Sequence, residues 1–282
     1  MSNFLTRTLT GVLFVVVLVG CMVVSPLSFI VLFAAVTGLT IWEFTTLLNR
    51  HAGASINGFI NTLAAVYLFF AMVGFCAELV PSRAFIPYLL TLIYLMVSEL
   101  YLRKSSPLKN WGFAFASQLY VALGFSLLGT LAFTYDSFAN QVHFDYCLPL
   151  SLFIFLWVND TGAYLCGSLL HKRFPAKLFE RISPKKSWVG SIGGVALCLI
   201  AGVVLSYAFP GRLNLREWLG FAVVVCLFGT WGDLFESLFK RELGIKDSGN
   251  FLPGHGGLLD RFDSALLAIP ATVLYIYSIR AF

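Results

Sequence analysis

Apolar runs of bilayer length recur along almost the whole chain and leave few folds open to it. A helix needs about 20 predominantly apolar residues to cross a hydrocarbon core. Nine runs approach that length: Leu9 to Val24, Leu27 to Leu47, Phe59 to Val80, Phe85 to Tyr101, Trp111 to Thr134, Cys147 to Leu170, Gly190 to Phe209, Trp218 to Leu234, and Ser264 to Ile279. Of the 282 residues, 59% are hydrophobic and 12% charged, far more apolar surface than a soluble domain can bury. The runs are continuous and do not alternate with period two, which argues against a membrane β-barrel. The expectation is an all-α, polytopic integral membrane protein with about nine transmembrane helices. It reads as a single membrane domain over residues 1–282, with 1–134 supplying packing and subunit contacts and 147–282 the chemistry. The first run leads at once into further apolar runs, so it reads as a retained span and not a cleaved signal. Ser25-Pro26 joins the first two runs as a tight hairpin.

Lys and Arg set the orientation. With a cytoplasmic N-terminus and alternating spans, the cytoplasmic side receives Arg7, Arg50, Arg103, Lys104, Lys109, the Lys172–Lys186 group, Lys240, Arg241, Lys246 and Arg261. The far side receives only Arg83, Arg212, Arg216 and Arg280. Two basic loops, Leu170–Val189 and Phe235–Phe262, therefore face the cytoplasm, and the cell inner membrane is the expected location. The net charge of +5 suits anionic head groups, and nothing points to nucleic acid. The six Cys are scattered through apolar runs with no CxxC pair, so they read as packing residues.

Charge is scarce except between Asp233 and Asp263, DLFESLFKRELGIKDSGNFLPGHGGLLDRFD. Ionisable groups at the edge of a span are costly and usually functional. Asp233 ends one apolar run; Asp260 and Asp263 precede the next, and their spacing of three puts them on one helix face. Carboxylates gathered there repel one another unless a cation intervenes, and such hard oxygen ligands suit Mg²⁺ with waters and phosphates. Ordinary helix capping is the competing explanation. Gly254, Gly256 and Gly257 after Pro253 leave backbone N–H groups free for an anion. His255 reads as a binding or structural residue. In RISPKKSWVG, Ser183, Lys185, Lys186 and Ser187 offer charge and hydroxyls before a span, where positive-inside bias alone also explains bases. Gly190 and Gly194 have the small-xxx-small spacing of a close helix contact. Asp160 shares a helix face with Tyr164 inside the sixth run. Glu43 and Glu99 read as interfacial partners for bases such as Arg50 and Arg103. No nucleophile-base-orienter pattern stands out. A phosphate monoester substrate would need none, because positioning, metal and bases suffice for phosphoryl or nucleotidyl transfer.

From Ser237 through Lys240-Arg241, Lys246-Asp247, Gly249, Leu252-Pro253 and His255-Gly256-Gly257 to Asp260-Arg261-x-Asp263, the chain resembles the signature of the phosphatidate cytidylyltransferases (CDP-diacylglycerol synthases) over about 27 residues. Asp160 in NDTGAY and Ser183-Pro184-Lys185-Lys186 resemble two further motifs of that family. The resemblance implies transfer of CMP from CTP to phosphatidic acid with release of pyrophosphate, in phospholipid biosynthesis. It implies Mg²⁺ on Asp233 and Asp260, leaves a second cation open, and makes a homodimer the expectation. By position, Asp233, Asp260, Asp263 and Lys240 carry the catalytic roles. Asp160, Ser183, Lys185, Lys186, Ser187, Ser237, Arg241, Lys246, His255, Gly256, Gly257 and Arg261 are the substrate-binding candidates. One position departs: Val189 stands where the family usually has an acid.

Two other classes remain to be weighed. A secondary transporter places its site near the midplane between repeated halves; here the charges gather at cytoplasmic ends and no repeat is evident. A lipid kinase or prenol nucleotidyltransferase could share the scaffold, and differs in which phosphate of CTP is transferred. A CDP-alcohol phosphotransferase is disfavoured because its DGxxAR…GxxxDxxxD pattern is missing.

Overall fold

A computed structural model of the chain describes residues 3–102, 104, 106–136, 140–170, 172–249, 251 and 256–280. All nine apolar runs are helical. They become α1 (Asn3–Val24), α2 (Pro26–His51), α3 (Gly58–Cys76), α4 (Ile86–Tyr101), α5 (Pro107–Ala132), α6 (Cys147–Leu170), α7 (Trp188–Ala208), α8 (Leu215–Glu242) and α9 (Leu259–Arg280). Among the described residues eight of these helical stretches are long and apolar enough to cross a membrane, α4 together with the 3-10 turn Ser82–Phe85 that leads into it; in α1 the apolar part, Thr8–Val24, is shorter. The chain is a mostly α-helical, multi-pass integral membrane protein. Two short hairpins interrupt the helices: β1 (Phe133–Asp136) with β2 (Gln141–Phe144), and β3 (Lys177–Phe179) with β4 (Ser183–Ser187), both antiparallel.

Residues Met1–Tyr146 and Leu243–Phe262 form one compact unit, and Cys147–Glu242 with Asp263–Phe282 form a second. In the first unit the α1–α2 turn is as tight as its Ser-Pro sequence suggests. Ser25 caps α2 by accepting from the Ser28 backbone, Ser28 answers through its own hydroxyl, and Pro26 opens the helix. The core is aromatic: Phe29, Phe33, Phe69, Phe125 and Phe262 are fully enclosed. One polar network crosses it. Asn61 donates to Thr45 Oγ1 and Ser117 Oγ, both at 2.8 Å, and Gln118 Nε2 donates to the Asn61 carbonyl at 2.7 Å. Gln118 also opens a π-helical turn, Gln118–Ala122, within α5, where widened backbone geometry accompanies these bonds. By contrast α4 buries little of itself, and Leu89, Leu90, Ile93 and Leu100 present an apolar face suited to lipid.

In the second unit α6 and α7 cross at glycines. A Cβ on Gly162 would stand 2.9 Å from the Gly194 Cα, and one on Gly190 would stand 2.9 Å from the Ala163 carbonyl oxygen. The glycine spacing read as a packing motif is therefore a backbone-to-backbone contact. Helix α9 runs antiparallel to α8, as expected. Gly232 meets the backbone of Asp263 and Ser264 near one end, and Tyr275 Oη donates to the Glu217 carbonyl at 3.0 Å towards the other.

Two element ends differ from the sequence reading. The loop expected from Phe235 is helical as far as Glu242, because SLFKRE contains good helix formers and puts the bases Lys240 and Arg241 in the last turn; Gly244 then turns the chain at φ +66°. Helix α9 begins at Leu259, so Asp260 and Asp263 lie inside its first turns and do not precede it.

If the glycine crossing sets the second unit's packing, Gly194→Leu should cost about 1–3 kcal/mol by overpacking. In thermal unfolding of the detergent-solubilised protein this appears as a clear fall in midpoint, whereas Gly112→Ala, where a Cβ meets nothing within 4 Å, does not lower it and should raise it slightly by removing a helical glycine.

Candidate active site

A cavity of about 540 Å³ opens within the second unit between α6, β4, α7 and α8. Its wall is built by helical spacing. Asp160, Tyr164 and Gly167 come from one face of α6, and Gly229, Thr230 and Asp233 from one face of α8. The SPKK strand supplies Lys185 and Lys186, and α7 begins at its end. Pro184 is tolerated because β4 belongs to a two-stranded hairpin with open edges. Ser187 caps α7, accepting from the Gly190 backbone N–H at 3.2 Å, so its hydroxyl has a structural duty at the cavity wall.

Charged groups in and beside this cavity are paired. Lys186 Nζ lies 2.6 Å from Asp233 Oδ2, and Ser237, one turn further along α8, donates to Asp233 Oδ1 at 3.2 Å. Lys240 lies 2.5 Å from the buried Glu236. The Asp263 carboxylate stands within electrostatic reach of Asp233, Asp160 and Lys240. Gly232 makes that proximity possible, since a Cβ there would stand 2.6 Å from the Asp263 carbonyl oxygen. Asp233 and Glu236 are thus each met by an ammonium group, and Lys185 stands on the same cavity wall as Lys186.

In the first unit the glycine-rich segment is fastened to Asp260. Asp260 Oδ2 accepts from the Gly257 N–H at 2.8 Å and from the Ser248 N–H at 2.9 Å. Gly256 adopts φ +83°, and a Cβ on it would overlap that same oxygen. Of the N–H groups that the sequence suggests as an anion cradle, that of Gly257 is therefore already turned on a carboxylate of the chain itself, and Gly254 lies outside the described residues. Capping, the competing explanation for Asp260, falls instead to Glu43, which accepts from the Leu258 and Leu259 N–H groups, while Asp260 holds the turn before the helix. Lys246 and Arg261 are exposed in this unit, as is Arg241 in the other.

The structure thus gathers Asp160, Lys185, Lys186, Ser187 and Asp233 around one cavity, with Ser237 on Asp233 and Asp263 in reach of it. Ser183 pairs with Phe179 in the β hairpin and does not line the cavity. His255 lies outside the described residues. Sequence reasoning missed Asn159 and Thr230, which line the cavity and approach at 3.5 Å, and Glu236, which holds Lys240. Glu236 had a visible signal, its i,i+4 spacing to Lys240. The interfacial role for Glu99 holds in kind, since it pairs with Lys104 at 3.1 Å and accepts from Asn110 at 2.8 Å; Arg103 lies outside the described residues. The pairing expected for Glu43 is replaced by bonds to Ser248, Leu258 and Leu259.

No set of three His, Cys, Asp or Glu side chains that could hold a metal ion occurs among the described residues. The donors fit Mg²⁺ in a different way. That ion keeps several waters and takes one or two carboxylates together with substrate phosphates. Asp233 offers a carboxylate that already attracts a cation, Lys186.

Helices long and apolar enough to cross a membrane, with a cavity lined by Asp160, Asp233, Lys185 and Lys186, define a membrane-embedded protein with a charge-bearing pocket. The chain belongs to the cytidylyltransferase family, whose sequence model matches residues 5–279. Among its relatives are the phosphatidate cytidylyltransferase of Staphylococcus aureus strain COL, 31% identical over 94% of this chain and 95% of that protein. That of Haemophilus influenzae strain Rd is 33% identical over 92% of this chain and 93% of its own length.

Because Lys186 is the cavity's ammonium on Asp233, Lys186→Ala should weaken binding of inorganic tripolyphosphate by about tenfold or more, the loss expected for a charge-assisted contact. Isothermal titration would show it, and Lys172→Ala, an exposed base outside the cavity, should bind as wild type does.

Proposed function

We propose that this protein transfers CMP from CTP to phosphatidic acid, giving CDP-diacylglycerol and pyrophosphate for phospholipid biosynthesis. The observation that carries the reading is the cavity in which Lys185, Lys186, Asp160 and Asp233 meet, in a chain of the cytidylyltransferase family. A phosphate oxygen of phosphatidate attacks the α-phosphorus of CTP. The new P–O bond joins lipid phosphate to CMP, and the bond to the β-phosphate breaks to release pyrophosphate. The nucleophile is already anionic, so no side chain has to deprotonate it. The chain's task is to bring two polyanions together and offset their charge. Lys185 and Lys186 serve the phosphates from the cavity wall, and Lys240 and Arg261 add positive charge. Ser237 orients Asp233, and Gly190 keeps α7 against α6 so that the strand carrying both lysines stays at the cavity wall.

Asp233 and Asp260 are the carboxylates we assign to Mg²⁺, with Asp263 completing the acidic set and a second cation left open. Mg²⁺, when bound, supplies charge neutralisation at the phosphates and the leaving group. The proposal includes a homodimer in the cell inner membrane, and it puts this chemistry on the cytoplasmic side, which the bias of Lys and Arg to one side of the spans supports. Phosphatidate enters from the inner leaflet with its acyl chains still in the bilayer.

Purified protein supplied with phosphatidate and CTP labelled at either the α- or the γ-phosphate decides between classes. Label from the α-position in the lipid product supports CMP transfer; label from the γ-position marks a kinase. Substrate flux in liposomes without CTP turnover marks a transporter. Asp233→Ala and Asp260→Ala should each lower turnover by about a hundredfold or more, as loss of a charge-stabilising group at a phosphoryl centre does. Chelation should abolish turnover and added Mg²⁺ restore it. Wild-type rates in either variant overturn that variant's ligand assignment.

A further inference from the structure

Glu43 lies on α2 and its side chain is turned onto a segment more than two hundred residues further along the chain. Oε2 accepts from the Leu258 N–H at 2.9 Å, and Oε1 accepts from the Leu259 N–H at 3.2 Å and from the Ser248 hydroxyl. The first N–H groups of a helix have no partner within it, and a negative charge beside them is favourable. An N-cap is usually local. Here the capping carboxylate comes from a helix at sequence separation 215.

Two glycines of the signature make room for it. A Cβ on Gly257 would overlap Glu43 Oε1 and Ser248 Oγ, and a Cβ on Gly249 would stand 3.1 Å from Glu43 Oε2. The same turn is gripped a second time by Asp260, which accepts from Ser248 N and Gly257 N. Ser248 gives its hydroxyl to one carboxylate and its N–H to the other. The direction of the Asp260 carboxylate and the path of the backbone through Ser248 and Gly257 are therefore fixed jointly with Glu43.

We propose that Glu43 is a positioning residue for the transfer reaction, holding from α2 the turn that aims Asp260. The role rests on the function proposed above. It also gives Gly249 and Gly257 a reason other than ligand binding: they are the space into which the Glu43 carboxylate fits.

Full-length wild type, Glu43→Gln, Gly257→Ala and the double variant Gly257→Ala with Glu43→Ala are compared with Glu43→Ala in detergent. Glu43→Gln keeps the shape and removes the charge. It should lower kcat by about tenfold to a hundredfold, the scale of a small misplacement at a reacting centre, with a smaller change in KM for CTP. Hydrogen exchange should quicken in peptides carrying the Leu258 and Leu259 amides. A cap serving stability alone would lower the unfolding temperature and leave kcat per folded enzyme unchanged. The double variant tests the geometry directly: the harm of Gly257→Ala should largely vanish once Glu43 is Ala, whereas independent effects add. Wild-type kcat and exchange in Glu43→Gln, or full additivity in the cycle, overturn the role. Wild type without CTP turnover overturns the functional reading and this role with it.

Discussion

A charge near hydrocarbon has to be neutralised, and the charged groups of the C-terminal half are arranged around that requirement. Removing one partner of a buried pair leaves an uncompensated charge and costs several kcal/mol, about 3–5 in measured cases. Asp233 therefore has Lys186 and Ser237, and Glu236 has Lys240. Glu43 and Asp260 are satisfied by backbone N–H groups and a serine. Such an arrangement is rigid because each group is held by what would otherwise be costly to expose. It is also exchangeable. A lysine ammonium and a polyphosphate-bound cation are alternative partners for the same carboxylate, and a phosphate is an alternative partner for the same lysine.

Rigidity of that kind needs backbones close together, which is where the glycines act. Gly162, Gly190 and Gly194 let α6 and α7 touch, which brings the SPKK strand and its lysines beside Asp160. Gly232 lets the start of α9's second-unit portion lie against α8, next to Asp233. Gly249 and Gly257 admit Glu43. At Gly162, Gly190, Gly194, Gly232 and Gly257 the missing side chain is replaced by an atom closer than a Cβ could stand, and at Gly249 the fit is tight, at 3.1 Å. Substituting them changes where charges stand, and packing is only part of the effect.

The spans were legible because nine continuous apolar runs have one economical solution in a bilayer, and all nine are helices. The acidic residues were legible because charge in so apolar a chain is conspicuous: Asp160, Lys186 and Asp233 do share a cavity. The ends of α8 and α9 were not. Residues 235–242 are polar and look like loop on a hydropathy scale, yet they continue a helix whose Ser237 and Lys240 reach groups one turn back. The hairpin through Ser183–Ser187 was hidden for a similar reason, since Pro-Lys-Lys carries no strand periodicity. Glu43 was hidden more deeply. A lone acid near a helix end beside Arg50 suggests an interfacial pair, and no local pattern reports a partner at sequence separation 215.

That distant cap changes how the signature's glycines are to be understood. A turn with free N–H groups is a ready anion site, but the N–H groups of Gly257, Leu258 and Leu259 already face carboxylates of the chain. A second anion brought to those same groups would meet two negative charges. Lysines are the better place for phosphates: Lys185 and Lys186 stand on a cavity wall, each with donors that no backbone needs. The chain thus divides the work between its two kinds of donor. Backbone N–H groups hold Glu43 and Asp260, and ammonium groups hold Asp233 and Glu236.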